Sequence, residues 1–146
     1  MLDGVIITPL KIISVPGGDV LHAMKNNDSG FDGFGEAYFS TIKSGVIKAW
    51  KRHHQMTLNL VVPVGAVKFV LYDERDSSSS KGEFSEVVIS KDNYVRLTVP
   101  PGLWMGFKCV GNIDGLLLNI ANIPHAADEV DKKTIDEINF DWNVKK

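Results

Sequence analysis

The strongest constraint on this chain is the recurrence of short runs rich in Val, Ile, Leu and aromatic residues, each stopped by Gly, Pro, Asn or Ser. Such runs suit a pleated, half-buried surface, and their close spacing predicts an all-β sandwich or barrel rather than alternating strands and helices. "GVIIT" and "LKIISV" open the series and stop at Pro16-Gly17-Gly18. "EAYFSTI", "GVIKAWK", "TLNLVVPV" and "VKFVLYD" follow, then "EFSEVVIS", "YVRLTVP", "LWMGFKCV" and "GLLLNIANI". "SSSSKG", residues 77–82, reads as a polar hairpin loop, because strand-like sequence resumes at once. Only residues 126–138, "AADEVDKKTIDEI", have room for a helix, and a short one at most.

At 146 residues, the expected organisation is one domain spanning 1–146. Hydrophobic residues at 44% and charged residues at 23% describe a chain that folds rather than one that stays disordered. A formal net charge of -2 argues against nucleic acid as a partner, since that role calls for a basic excess. The single cysteine, Cys109, excludes a disulfide framework and lies in an apolar run, so it reads as a buried structural thiol. "MLDGVIITPLK" has no basic region leading into a long apolar run, and no segment has the length needed to cross a membrane as a helix. The expected location is the cytoplasm.

One polar stretch interrupts the apolar pattern. In "GVIKAWKRHHQ", residues 45–55, strand alternation places Lys51 and His53 on one face and Arg52 and His54 on the other. If the first pair faces a barrel interior, a buried amine and imidazole need partners or a ligand. The competing reading is a strand end with solvated heads.

The spacing around His53 resembles the first cupin motif. Gly45, position 51, His53, position 58 and Gly65 fall at its intervals. Pro100, Gly102, position 105 and position 109 fall at those of the second motif. The usual ligand positions hold Lys51, Leu58, Met105 and Cys109, so of the ligand set only His53 is kept. An ammonium and a leucine cannot coordinate, and the expectation is a cupin scaffold with neither metal nor other cofactor.

Within the cupins, the chain resembles the dTDP-4-dehydrorhamnose 3,5-epimerase family. "DERDSSSSKGEF" matches through Asp73, Arg75, Ser78, Gly82 and Phe84; "NYVRLTVPPGLWMGF", "GFGEAYFS" and "NIPHAADEV" match further segments in order. The resemblance runs from about residue 30 to the C-terminus. It implies a β-barrel of the jelly-roll type and a metal-independent isomerase that epimerises a 4-keto-6-deoxy sugar nucleotide for surface polysaccharide (lipopolysaccharide) synthesis. Lys51 stands for the family's catalytic histidine, Lys48 for its arginine, and Leu118 for its tyrosine. His53 matches the second histidine of the related 3,4-ketoisomerases.

Proton transfer beside a ketone needs a base, a donor to the enolate and an acid on the far side. His53 is the best acid/base candidate. Lys51 is open to three readings: a desolvated amine base, a charge stabiliser or an inert residue. The nucleotide diphosphate calls for cations and an aromatic platform, for which Lys48, Arg75, Trp50, Trp104 and the family-matched Glu36 are candidates. Core packing is the stronger competing reading for each tryptophan. His22, His54 and His125 read as surface or structural residues, and Asp141-Trp142 resembles a closing motif whose aspartate would orient a histidine. A homodimer is expected, because the N-terminal strands would otherwise leave open edges. The rival to an enzyme is a silent binding cupin that keeps the pocket and lacks the base.

Overall fold

The apolar runs become strands. A computed structural model describes residues 1–143. In chain order the strands are β1 (Ile6–Pro9), β2 (Ile12–Ile13), β3 (Val20–Leu21), β4 (Glu36–Ile42), β5 (Ile47–His53) and β6 (Leu58–Val64). They continue with β7 (Val67–Asp73), β8 (Phe84–Ile89), β9 (Val95–Val99), β10 (Leu103–Cys109), β11 (Gly115–Ala121) and β12 (Val130–Lys132). One antiparallel sheet has the order β1-β9-β6-β11-β4, and a second has the order β12-β5-β10-β7-β8. β2 and β3 pair with each other as a separate arm. The fold is all-β and cupin-like, with two facing five-stranded sheets.

Alternate residues of both sheets meet in the core. Leu58, Leu60 and Val62 of β6 and Leu117 and Ala121 of β11 pack with Val67, Phe69 and Leu71 of β7 and Cys109 of β10. Cys109 is fully buried and its thiol donates to the Ile113 carbonyl at 3.2 Å. The other face of the second sheet is covered as well. Trp50, Val70 and Trp104 pack there against Ile138 and Trp142 from the chain's last stretch. No helix among the described residues is long and apolar enough to cross a membrane.

Residues 126–138, where at most a short helix was expected, hold no α-helix. That segment forms two single 3₁₀ turns, Ala127–Glu129 and Ile135–Glu137, with β12 between them. A stretch this short does not nucleate an α-helix alone, and pairing with β5 supplies ladder bonds that a helix would forgo. β12 thus extends the sheet beyond β5, at Val130–His53, Asp131–Arg52 and Lys132–Lys51.

The loop after β7 is tied by a buried carboxylate. Asp73 is fully buried; it accepts from Arg75 Nε at 3.0 Å and Nη2 at 2.9 Å, and from the Ser78 and Ser80 hydroxyls at 2.5 and 2.6 Å. Arg75 Nη2 also donates to the Asp3 carbonyl at 2.7 Å, which fastens the N-terminus. Gly102, at φ +91°, closes the Pro-Pro-Gly corner against this knot: a Cβ there would stand 2.9 Å from Arg75 Cδ. The Arg75 guanidinium, despite the burial that opposes it, holds the Asp73 carboxyl well below the usual carboxylate range, with help from the two serines. A depressed folded-state value stabilises the fold above about pH 4, the ordinary aspartate range, and the contribution falls as acid approaches the depressed value. Arg75→Ala leaves a buried charge without its partner and is expected to cost about 3–5 kcal/mol at pH 7. Urea unfolding tests this; a cost below about 1 kcal/mol, within the range of exposed ion pairs, would contradict it.

Candidate functional site

β5 does not alternate along its whole length. Its register with β10 runs Trp104–Arg52 and Met105–Lys51, then shifts, and resumes at Phe107–Lys48 and Lys108–Ile47. Met105 and Phe107 both pack against the inter-sheet core, so Lys48 and Lys51, three residues apart, turn to the same inner side. His53 follows Lys51 on that side, while Trp50 and Arg52 face outward. Gly106 lies at the shift, where a Cβ would meet Ala49 Cβ at 2.7 Å and the Trp142 ring at 3.0 Å. Absence of a side chain lets the aromatic cluster press against β5 there. A cavity of about 320 Å³ is lined by Lys48, Trp50, Lys51, Met105, Phe107 and Lys132, among others; His53 and Glu36 do not line it.

His53 is the site's titratable centre. Its side chain is 15% exposed, and Nδ1 lies 3.9 Å from Glu129 Oε1, an electrostatic contact longer than a hydrogen bond. Among the described residues Nδ1 has no hydrogen-bond partner. Burial pushes the imidazole below its ordinary value; Glu129 pulls it up, while Lys51, His125 and His54 push it down. The net effect leaves the ring neutral and able to accept a proton at neutral pH. Glu129 is held firmly: Oε1 accepts from the Gln55 and Met56 amides at 2.8 and 2.7 Å. Burial alone would raise its carboxyl, but those two amides and the nearby imidazoles hold it below the ordinary glutamate range.

The first sheet supplies the facing wall. β4 and β11 pair Glu36 with Ala121, Tyr38 with Asn119 and Phe39 with Leu118. Ala121 belongs to the core, so Glu36, Tyr38 and Asn119 share the inner side, and Leu118 turns outward beside the exposed Phe39. Glu36 Oε1 and Asn119 Oδ1 are buried with no partner among the described residues. Buried polar atoms are normally bonded, so these orphans and His53 Nδ1 mark the space between the sheets as a place for a polar ligand.

Several sequence candidates fall elsewhere. Trp50 and Trp104 are 1% and 2% exposed on the outer side of the second sheet. Trp50 packs against Trp142 at 5.3 Å and Phe140 at 6.5 Å. Trp104 is enclosed by Arg52 and Lys133, 4.6 and 4.7 Å from its ring, and donates to Glu74. Neither ring is open to a base. The Arg75 fork is spent on Asp73. Asp141 accepts from the Asn143 amide, and Glu129 is the carboxylate beside the histidine. Leu118, matched to the family's tyrosine, turns outward, and its neighbour Asn119 is the inward side chain at that level of β11. His54 pairs with Asp131 at 3.0 Å, and His125 is exposed. Glu129 lay within the recognised "NIPHAADEV" segment, but nothing in spacing linked it to His53. Among the described residues, no group of three or more His, Cys, Asp or Glu could hold a metal ion.

No family model matches the chain. It is 29% identical over 149 aligned residues to the spore coat polysaccharide biosynthesis protein SpsL of Bacillus subtilis, covering 99% of both chains. It is 32% identical to a probable low-salt glycan biosynthesis epimerase of Haloferax volcanii, covering 75% of this chain and 73% of that one. Among solved structures, a dTDP sugar isomerase of Desulfovibrio desulfuricans superposes with TM-score 0.94 at 36% identity, covering 99% of this chain and 94% of that one. The dTDP-4-dehydrorhamnose 3,5-epimerase of Bacillus anthracis, solved with TDP and pyrophosphate, shares the fold at TM-score 0.84 and 18% identity, over 98% and 87% of the two chains.

Glu129→Gln keeps an acceptor for the two amides and removes the charge that raises the imidazole. NMR titration of His53 is therefore expected to give a midpoint below the ordinary value of about 6.5 in the wild type, and lower still in the variant. A midpoint that rises in the variant would contradict this electrostatic account.

Proposed function

We propose that this chain, which belongs to the dTDP-4-dehydrorhamnose 3,5-epimerase family, epimerises or isomerises a dTDP-linked 4-keto-6-deoxy sugar without metal, in the synthesis of a surface polysaccharide or glycan. The observation that carries this reading is His53, neutral and largely buried on the inner side of β5 beside Lys51. In this reading the imidazole removes the proton from the carbon next to the ketone. Lys51 is exposed at the mouth and acts as an ammonium that stabilises the enolate, rather than as a desolvated amine. Lys48, on the same inner side, takes the diphosphate with Lys132 near it, and the unpartnered Glu36 oxygen accepts from a ligand hydroxyl or base. The names of the relatives support the substrate class, and the dTDP sugar isomerase supports the nucleotide.

A nucleotide-linked substrate fits a cytoplasmic enzyme. The exposed Ile12, Ile13, Val15 and Val20 on the β2–β3 arm support a homodimer, since they leave apolar surface uncovered on one protomer.

Incubation with dTDP-4-keto-6-deoxyglucose in heavy water is expected to wash deuterium into C3 or C5. His53→Asn should lower the rate about 10²- to 10⁴-fold, the usual effect of losing a positioned base. If dTDP binds yet neither the wild type nor Lys51→His washes in deuterium, the chain is a binding protein and the enzymatic reading fails.

A further inference from the structure

An epimerisation needs a second proton carrier, because the proton removed on one face of the carbon must be replaced on the other. The inner side of the first sheet carries one phenol suited to that task. Tyr38 stands on the edge strand β4, and Asn119 Nδ2 donates to its oxygen at 2.9 Å. Asn119 is 7% exposed in the interior of the sheet, flanked by Leu60 on one side and Tyr38 on the other. Packing alone does not account for an amide there, since a buried amide costs stability unless fully bonded, and its Oδ1 has no partner among the described residues. What the amide does is fix the phenol. Because the phenol oxygen accepts this bond, its own hydrogen remains available to a ligand.

Chain geometry brings the phenol to the level of the base. β4 and β5 are joined through residues 43–46, and Lys48 Nζ donates to the Thr41 carbonyl at 3.1 Å, which ties those two levels together. Three residues before Thr41 is Tyr38, and three after Lys48 is Lys51. Two residues further along come Glu36 and His53. Counted from that tie, Tyr38 stands as far along β4 as Lys51 stands along β5, and Glu36 as far as His53. The position of Tyr38 on an edge strand leaves it half exposed and within reach of a ligand.

We infer that Tyr38, positioned by Asn119, is the acid that returns a proton to the substrate carbon on the face opposite His53. This rests on the reading of His53 as the base. The neutral imidazole takes the proton from the carbon, and the bonding pair moves to the ketone oxygen as an enolate. The enolate then reforms the ketone as the carbon takes the hydrogen of the Tyr38 hydroxyl on its other face. The Asn119 amide stabilises the phenolate that remains, and solvent carries the imidazolium proton back to it. Nothing is oxidised or reduced.

Tyr38→Phe separates the two steps. With dTDP-4-keto-6-deoxyglucose in heavy water, the variant is expected to keep deuterium exchange within a few-fold of wild type, because His53 still removes and returns the proton on its own face. Formation of the epimer should fall about 10²- to 10⁴-fold. Epimer formation within threefold of wild type in Tyr38→Phe would overturn the assignment while leaving His53 as the base. A wild type that exchanges deuterium yet yields no epimer would overturn it also. A wild type without exchange removes the reading of His53, and the role of Tyr38 with it.

Discussion

Everything that distinguishes this site depends on the shift in pairing between β5 and β10 at Gly106. A regular strand offers every second side chain to one face, which would send Lys48 and Lys51 to opposite sides. The shift brings both inward, together with His53, and sends Trp50 outward into the cluster with Phe140 and Trp142. That cluster packs against the shift, because the Trp142 ring lies 3.0 Å from where a Cβ of residue 106 would stand. Aromatic packing on one face of the sheet thereby fixes cation placement on the other.

The site's electrostatics follow from burial that is only partly compensated. Asp73, Glu129 and Asp131 are each held by several donors, and in each the carboxyl stays below its ordinary range. These groups are settled and serve to fasten loops. His53 Nδ1, Glu36 Oε1 and Asn119 Oδ1 are buried without partners among the described residues. Unpaired buried atoms oppose folding; these three lie on the inner sides of the two sheets, whereas Arg96 Nε and Trp142 Nε1, also unpaired among the described residues, lie elsewhere. A larger cavity, of about 790 Å³ near Lys108 and Trp142, lies on the outer side of the second sheet, away from these atoms.

Much of the fold was legible because strand patterning is local. The runs at 67–73 and 36–42 coincide with β7 and β4, and Cys109 is buried as its apolar surroundings required. β12 was not legible, since "VDK" carries no strand signal and forms only because the edge of β5 accepts it. Alternation correctly paired Lys51 with His53. It could not reveal that Lys48 joins them, because the pairing shift is a tertiary feature. The tryptophans read more strongly as core than as platform, and the C-terminal segment that covers them bears out the core. Glu129 and Asn119 became visible through contacts across 74 and 81 residues of sequence, respectively.

In the proposed reaction the sugar lies between the two sheets, among His53, Lys51 and the inner side of β4. A crystal structure of His53→Asn with dTDP-4-keto-6-deoxyglucose tests it most directly. The hexose is expected between position 53 and β4, its ketone oxygen within hydrogen-bond distance of Lys51 Nζ, and the diphosphate at Lys48. A hexose seated instead on the outer side of the second sheet, beside Lys108 and Trp142, would contradict it.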